Sequence, residues 1–436
     1  MRGKISSLIK NRFIANTSWI LFERIFQMVI SLVVGMLTAR YLGPSNYGTI
    51  NYVAAFIAFA TPVCSLGLEG LLVKRFVDTP ERTNTIIGTA IAMEFIVGII
   101  SSFVICVIVC LSNFGDETKV WVAFLESLRL LFKSTEVIEY WYQSRLQSRT
   151  SSIIKMIGYI GMSLYRIILL VMGKSVIWFA FATSLDMLII AILYLWSYAK
   201  NSNQKLRIDF SYGFSMLHES YHFILSGLMV VLYSQMDKIM IQHMLSDSAV
   251  GLYSASNTIC NLWFFIPGAL ITSAQPVIMR QKQIDEGRYY LRLKQLYASV
   301  FWLGIFVGAV VSLCSNQIIS ILYGKDYIGA VGSLIIGIWY GTFAQLGNAR
   351  GIWILCEEKQ KYSKYYIFLG AIVNLVLNWL LIPLAGINGA AFATLITQVF
   401  VCVFAPLFFK ETRVHTRILI EGVSLSWLTK TKNKSI

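Results

Sequence analysis

Charged residues are scarce in this chain of 436 residues. Asp, Glu, Lys and Arg make up 14% of the sequence, 56% is apolar and the mean hydropathy is +0.65, whereas about a quarter of a typical soluble domain is charged. Apolar runs of roughly 20 residues, the length that spans the hydrocarbon core of a bilayer, recur between short polar breaks. This composition excludes a soluble domain and predicts an integral membrane protein.

Histidine and cysteine are also few, and neither forms a catalytic or metal-binding pattern. The four His residues have no ligand spacing, and the seven Cys residues form no CxxC pair. The motif GKS at 173–175 lacks the glycine that a phosphate-binding loop needs five residues earlier. We therefore predict that the protein is not an enzyme and that it holds neither a cofactor nor a metal ion.

The period-2 alternation of a membrane β-barrel is absent, which leaves the α-helix as the spanning structure because every backbone polar group in lipid needs an internal partner. We predict an all-α fold with twelve transmembrane helices. The approximate spans are 13–39, 47–72, 85–111, 120–142, 152–171, 175–198, 219–242, 250–278, 295–315, 328–348, 364–382 and 388–409.

Lys and Arg are unevenly distributed between the two sets of loops. The loops after odd-numbered spans hold only Arg40, Lys119, Lys174 and Lys325. Twenty-eight others lie in or next to the opposite loops and the terminal segments, among them Arg145, Arg149, Lys155 and Arg350. Because segments rich in Lys and Arg stay in the cytoplasm, both termini are predicted to be cytoplasmic. The net charge of +15 then reflects orientation and contact with membrane lipids, and no nucleic-acid partner is expected.

Two weak internal repeats relate the halves of the chain. A shift of the sequence by 203 residues matches Leu42, Ser45 and Gly48 to Leu245, Ser248 and Gly251, and a shift by 213 residues matches Gly173, Phe179 and Ala180 to Gly386, Phe392 and Ala393. Both shifts place the halves six spans apart, which preserves orientation. We therefore expect two six-helix lobes related by a pseudo-twofold axis along the membrane normal, with a central hydrated cleft.

The lobes have predicted boundaries. The N-lobe is 1–200, the cytoplasmic inter-lobe linker 201–218, the C-lobe 219–409 and the basic cytoplasmic tail 410–436.

The predicted fourth span carries a stripe of polar side chains. Glu126, Arg129, Lys133, Glu136 and Tyr140 step by three, four, three and four residues, which places them on one helix face. Charges at membrane depth cost several kcal/mol unless they face water or a partner. Two interpretations remain open: a self-neutralising ladder that ties helices together, or two central cations held ready for an anionic ligand.

Other predicted spans contribute ionisable residues as well. The deep cations are Arg24, Arg129, Lys133, Arg166 and Lys238, and the deep acids are Glu23, Glu94, Glu126, Asp186 and Asp237. Ionisable residues within a membrane are functional candidates by default.

Several motifs resemble those of a known transporter family. The stretches ARYLGPSNYGTINYV, SLGLEGLLVKR, SQMDKIMI, LYGKDYIGA and NLVLNWLLIPLAGINGAAFATLITQ are similar to those of the polysaccharide transport family of the multidrug/oligosaccharidyl-lipid/polysaccharide superfamily, including O-antigen flippases of the Wzx type. The resemblance implies a bacterial inner-membrane flippase for an undecaprenyl-pyrophosphate-linked oligosaccharide, driven by a proton or sodium gradient. It also implies membrane lipids, a glycan polymerase and a chain-length regulator as partners.

The resemblance suggests roles for the deep charges. We expect the five deep cations, Arg24, Arg129, Lys133, Arg166 and Lys238, to bind pyrophosphate or acidic sugars. Glu94, Asp186 and Asp237 are candidate ion-coupling sites, and Glu23, Glu126 and Glu136 are candidates for salt bridges or the lumen.

Three alternatives stay open from the sequence. One is a drug or cation antiporter of the multidrug and toxin extrusion type, and another is a peptidoglycan-precursor flippase, which usually has two further spans. The third is a membrane-embedded glycan polymerase or transferase, which the short outer loops disfavour.

Overall fold

The computed structural model describes the backbone of residues 2–202 and 205–424, and side chains at residue 16 and from residue 18 onward within those ranges. Every regular element in these ranges is helical, which confirms the all-α prediction. Two compact units divide the chain. The N-unit comprises Met1–Leu42 and Thr49–Val231, and the C-unit comprises Gly43–Gly48 and Leu232–Ile436.

Eight α-helices supply the N-unit, the first and last of them shared with the C-unit. They are α1 Arg2–Cys64, α2 Glu69–Asp78, α3 Thr83–Ser112, α4 Glu117–Lys133, α5 Val137–Ser144, α6 Ser148–Val171, α7 Val176–Asn201 and α8 Phe210–Met244. Short 3₁₀ turns lie at Pro80–Arg82 and Ser134–Glu136.

The C-unit continues the chain with seven further α-helices. They are α9 Asp247–Leu262, α10 Phe265–Ile284, α11 Glu286–Leu313, α12 Ser315–Leu322, α13 Val331–Cys356, α14 Ser363–Val399 and α15 Arg413–Val423. A π-helix, Phe400–Phe404, follows α14, and 3₁₀ turns lie at Lys325–Ala330, Gln360–Tyr362 and Ala405–Phe408.

Two of the longest helices are broken at glycine. Gly43 in α1 has φ 70° and Gly386 in α14 has φ 58°, and this left-handed conformation is accessible to glycine at little steric cost. Gly173, which the second repeat aligns with Gly386, also has a positive φ of 66°. The aligned glycines therefore both have a positive φ.

Nine helical stretches of the described chain from Ser18 onward are long and apolar enough to cross a membrane. They are Ser18–Asp78, Pro80–Ser112, Ser148–Val171, Val176–Asn201, Phe210–Met244, Asp247–Ile284, Glu286–Leu313, Lys325–Cys356 and Gln360–Phe408. This confirms a multi-pass membrane protein. The predicted span 120–142 is not among them, in keeping with its high content of charged residues.

The predicted fourth span is interrupted in the structure. The hydroxyl of Ser134 donates to the Leu131 carbonyl at 2.7 Å, and the hydroxyl of Thr135 donates to the Phe132 carbonyl at 2.9 Å. Side-chain bonds of this kind compete with the helical ladder, and the 3₁₀ turn Ser134–Glu136 separates α4 from α5. The continuous helix face expected from Glu126 to Tyr140 is therefore broken after Lys133.

Each unit has its own apolar core. The N-unit core includes Leu72, Ile86, Val137, Tyr194 and Met216, and the C-unit core includes Leu293, Tyr297, Leu346, Trp353 and Leu419. Met216 lies on α8 and Leu419 on α15, so both of these helices contribute to a core.

The segment predicted as a linker, 201–218, contains the start of α8. Residues 203–204 lie outside the described residues, and 205–209 have no regular structure. The carboxylate of Asp209 accepts from the Tyr212 amide at 3.1 Å, which is the usual way that an Asp caps a helix N-terminus. The first part of α8 then packs on the N-unit.

The predicted tail, 410–436, also contains a packed helix, while its residues 425–436 lie outside the described residues. Helix α15 buries His415, whose Nε2 lies 3.0 Å from the Tyr297 hydroxyl. Burial, reinforced by the nearby Arg350 guanidinium, lowers the pKa of His415 well below its usual value. The imidazole is therefore neutral at physiological pH.

Candidate functional site

A polar cavity of about 240 Å³ lies among four helices of the N-unit. Its lining residues come from α1 (Gln27, Ile30, Ser31), α4 (Arg129), α6 (Tyr159, Met162, Arg166) and α7 (Thr183, Asp186, Met187). We call it the arginine cavity. It brings together three of the predicted site residues, Arg129, Arg166 and Asp186, from separate predicted spans.

The charges around the arginine cavity form a quartet. Arg129 and Arg166 both interact electrostatically with Glu126 and with Asp186. Glu126 is 1% exposed, and its Oε2 and the Oδ1 of Asp186 have no hydrogen-bond partner among the described residues. The quartet is formally neutral, yet it leaves buried carboxylate oxygens available to a further donor or cation.

Close packing of α4, α6 and α7 positions the two acids. The Ser184 hydroxyl donates to the carbonyls of Leu125 and Glu126, which ties α7 to α4. On the other side of α7, a Cβ added at Gly158 would lie 2.9 Å from the Asp186 Oδ1 and closer still to Ile190. Glycine at this position therefore allows α6 to approach the Asp186 carboxylate.

Lys133 belongs to a different group of charges. Its Nζ is ion-paired with Glu136, and it also interacts electrostatically with Glu94 on α3 and Glu69 on α2. Glu94 is buried. The structure thus separates the two central cations of the predicted stripe: Arg129 lines the arginine cavity, whereas Lys133 is surrounded by three carboxylates.

Glu139 and Lys155 form a third group that sequence reasoning did not assign. Lys155 Nζ lies 2.6 Å from Glu139 Oε1, and the Tyr194 hydroxyl donates to Glu139 Oε2 at 3.4 Å. The sequence predicts Lys155 to be a cytoplasmic loop cation, because it falls near the start of a predicted span. The position of Lys155 inside the predicted span was the feature that could have indicated a buried ion pair.

We expect Lys155→Met to destabilise the protein, because it leaves the half-buried Glu139 carboxylate without its cation. The pair is less buried than a fully internal ion pair, so the expected loss is about 2 kcal/mol. The thermal midpoint of the detergent-purified protein measures it. The double variant Lys155→Met/Glu139→Gln should recover most of the loss. An unchanged midpoint for Lys155→Met alone would show that the pair contributes nothing.

Glu23 and Arg24 are neighbours in α1 but have different surroundings. Glu23 is buried and accepts from the Tyr159 hydroxyl at 3.3 Å, which connects it to the arginine cavity. Arg24 is exposed on α1. Its role in substrate binding remains a prediction.

The predicted site residues of the C-unit lie on α8. Asp237 is buried and accepts from the Tyr253 hydroxyl, and it interacts electrostatically with Lys238. The Oδ1 of Asp237 has no hydrogen-bond partner in the described part of the chain. Lys238 is half-buried.

Arg350 is a buried cation that sequence reasoning placed in a cytoplasmic loop. It is 6% exposed, its Nη1 donates to the Val401 carbonyl at 2.7 Å, and its guanidinium lies 4.6 Å from the centre of the Tyr366 ring. Val401 belongs to the π-helix, a form often found at functional sites. The apolar sequence GIWIL that follows Arg350 was the feature of the sequence that indicated a buried position.

The sequence profile of the polysaccharide biosynthesis protein family matches residues 13–281, more than half of the chain. The chain belongs to this family. The MatE profile also matches, over residues 223–380. These matches confirm the predicted membership of the polysaccharide transport family in the multidrug/oligosaccharidyl-lipid/polysaccharide superfamily. All three charge groups of the N-unit lie within the region that the polysaccharide biosynthesis profile covers.

Two named relatives of this chain are consistent with its membership of the polysaccharide biosynthesis family. The capsular polysaccharide biosynthesis protein CapF of Staphylococcus aureus is 20% identical over 415 residues, which are 91% of this chain and 99% of CapF. The probable flippase AglR of Haloferax volcanii is 26% identical over 179 residues, 40% of this chain and 37% of AglR.

Solved structures share the fold. An inward-facing multidrug resistance MATE family transporter aligns with a TM-score of 0.67 and 13% identity over 91% of this chain and 96% of that one. The lipid II flippase MurJ, in an inward closed conformation, aligns with a TM-score of 0.70 and 15% identity over 95% of this chain and 91% of MurJ. The relatives whose names state an activity are flippases or transporters, which confirms the prediction that this protein is not an enzyme.

Proposed function

We propose that the protein is a flippase that moves an undecaprenyl-pyrophosphate-linked oligosaccharide, an O-antigen or capsular repeat unit, from the cytoplasmic to the periplasmic leaflet of a bacterial inner membrane. The observation that carries this proposal is the arginine cavity, in which Arg129 and Arg166 lie together among α1, α4, α6 and α7. A pyrophosphate and its sugars cannot cross hydrocarbon unaided. Guanidinium groups are well matched to phosphate oxygens.

The proposal includes the predicted topology of twelve spans with both termini in the cytoplasm. Two of the nine apolar stretches, Ser18–Asp78 and Gln360–Phe408, are long enough for two crossings each, and their breaks at Gly43 and Gly386 suit a turn. The charged helix α4, with α5, supplies the remaining span.

We further propose that a proton or sodium ion drives transport. Buried acids with an oxygen that accepts no hydrogen bond from the described residues are suitable cation sites, and Asp186 and Asp237 each have one. Glu94 is the third candidate, because it is buried beside Lys133. The remaining predicted cations, Arg24 and Lys238, are proposed to contact the headgroup as it moves.

A second candidate function is a cation or drug antiporter. The observation that favours it is the acidic character of the surroundings of Lys133, where Glu69, Glu94 and Glu136 outnumber the single cation. The MatE match over residues 223–380 points the same way.

Deletion of the gene in the source bacterium separates these functions. For the flippase, we expect lipid-linked repeat units to accumulate on the cytoplasmic face and surface glycan to fall by about tenfold or more, because unaided crossing of a charged headgroup is slow. Mass spectrometry of lipid extracts measures the amount of lipid-linked repeat units. Protection from an external glycosidase measures the fraction of them that lies on the cytoplasmic face.

Complementation supplies the control for this experiment. Wild type and Arg292→Gln, a change at an exposed residue of α11, should both restore surface glycan. Unchanged glycan together with lost drug resistance would favour the antiporter.

A further inference from the structure

A second and larger cavity, of about 820 Å³, lies at one end of the N-unit. We call it the terminal cavity. It is formed where the segment of α1 that carries Asn16 and Trp19, the turn from α5 to α6 and the end of α7 meet. By the distribution of Lys and Arg, this end faces the cytoplasm. None of the predicted site residues lines it.

The terminal cavity contains two arginines and no carboxylate among its lining residues. Arg145 and Arg149 are exposed, and neither has an acidic partner among the ion pairs of the described residues. This differs from the arginine cavity, where Glu126 and Asp186 balance the cations. The terminal cavity is therefore the more suitable of the two for a fully charged diphosphate.

Each arginine is held over an indole ring. The Arg145 guanidinium lies 4.3 Å from the centre of the Trp141 ring, and the Arg149 guanidinium lies 5.4 Å from the centre of the Trp19 ring. Cation–π contacts of this kind orient the guanidinium and reduce the entropy lost when it binds an anion. Indole rings are also flat apolar surfaces against which the C–H face of a sugar can pack.

Trp141 supplies an unused donor. Its side chain is 2% exposed and lies in the N-unit core, yet its indole Nε1 has no hydrogen-bond partner among the described residues. A buried N–H without a partner costs free energy. A sugar hydroxyl or phosphate oxygen in the terminal cavity would satisfy this group.

Amide side chains make the rest of the cavity polar and ordered. The Oδ1 of Asn16 accepts from the Ser148 amide at 2.7 Å, which fixes α1 to the start of α6. The Nδ2 of Asn201 donates to the Tyr142 hydroxyl at 3.1 Å. Arginines, indoles and amides on a rigid frame form a site for a ligand that is both anionic and rich in hydroxyl groups.

We propose that the terminal cavity is a loading site that binds the sugar-diphosphate headgroup of the substrate before it reaches the arginine cavity. The inference rests on the proposed flippase function, and it adds a second binding site. Arg145 and Arg149 contact the diphosphate, the partly exposed Trp19 ring packs against the first sugar, and the Trp141 Nε1 donates to a hydroxyl of that sugar. An anionic phospholipid would satisfy the arginines but would bring no sugar ring to pack against Trp19, so the sugar-bearing ligand is favoured.

Binding to the full-length protein in nanodiscs of zwitterionic lipid tests the site. The probe is N-acetylglucosamine linked through diphosphate to a farnesyl chain, and farnesyl diphosphate and phosphatidylglycerol are the competitors. We expect Arg145→Gln/Arg149→Gln to weaken probe binding by about tenfold or more, since two charge-assisted contacts are lost. Trp141→Phe should weaken binding of the sugar-bearing probe alone.

Arg82→Gln is the matched control, because Arg82 is another exposed arginine over an aromatic ring, 5.8 Å from the centre of Tyr212, outside the terminal cavity. It should bind the probe as wild type does. The arginines are exposed, so their replacement should leave the thermal midpoint unchanged. If Trp141→Phe fails to fold, the arginine double variant decides the outcome.

Two outcomes would overturn the loading site: unchanged probe binding by the arginine double variant, or displacement of the probe by phosphatidylglycerol as effectively as by the unlabelled probe. Flipping of the probe by wild type in proteoliposomes is measured separately. Flipping with an unchanged KM in the double variant would reject the loading site and leave the flippase standing. Absence of flipping by wild type would reject the flippase itself.

Discussion

Replacing Arg129 with Gln is expected to lower the rate of flipping by roughly 30-fold or more. Loss of one partner from a buried, charge-assisted contact costs about 2–5 kcal/mol, and each 1.4 kcal/mol is a factor of about ten. Arg129 lines the arginine cavity and interacts with Glu126 and Asp186. Its removal therefore takes away an anion contact and leaves two buried acids with only Arg166.

The same variant can separate the two interpretations of the charged stripe. If Arg129 only neutralises Glu126, the double variant Arg129→Gln/Glu126→Gln should restore both the thermal midpoint and flipping. If Arg129 contacts the substrate, the double variant should restore the midpoint while flipping stays low. We expect the second result.

Proteoliposomes with a fluorescent lipid-linked oligosaccharide measure the rate, and the detergent-purified protein gives the midpoint. Arg129→Lys keeps the charge but loses the planar fork, so an intermediate rate is expected. Arg292→Gln controls for loss of an exposed arginine. Wild-type flipping by Arg129→Gln at equal protein level would remove the arginine cavity from the mechanism.

The membrane class and the helical fold could be predicted from the sequence because they depend on composition and on the length of apolar runs. The pairing of charges could not, because it depends on how helices pack. Arg129 and Lys133 are one turn apart on α4, yet one meets Arg166 and Asp186 while the other meets Glu136 and Glu94. Spacing places both on one face but does not identify the helix that each will contact.

Residues near the ends of predicted spans were assigned least well. The sequence predicts both Lys155 and Arg350 to be loop cations, since hydropathy alone cannot separate an exposed loop from a buried helix end. In the structure Lys155 pairs with Glu139, and Arg350 donates to the Val401 carbonyl. A single sequence does not predict partners such as the Glu139 side chain or the carbonyl of a π-helix.

The first internal repeat has a direct counterpart in the C-unit. Gly48 and Gly251, which the shift by 203 residues aligns, lie against each other's segments. A Cβ added at Gly48 would lie 1.7 Å from the Asp247 carbonyl oxygen, and a Cβ added at Gly251 would lie 2.0 Å from the Pro44 carbonyl oxygen. The two contacts are reciprocal, because each glycine lies against backbone of the segment that contains the other.

Replacing either glycine with Ala is therefore expected to destabilise the protein severely. The atom that the new methyl group would meet is backbone in both cases, so a change of rotamer cannot relieve the overlap. Overpacking usually costs about 1–3 kcal/mol, and an overlap with two packed backbones should reach or exceed the upper end of that range. We expect a strong loss of the monodisperse protein in size-exclusion chromatography and a lower thermal midpoint for what remains.

Three other helical glycines provide matched controls. A Cβ at Gly35, Gly268 or Gly347 would meet no atom within 4 Å, and Ala is the better helix former by about 1 kcal/mol. These variants should be as stable as wild type or slightly more stable. If Gly48→Ala had the same yield and thermal midpoint as Gly35→Ala, the two aligned segments would not pack as closely as the structure has them.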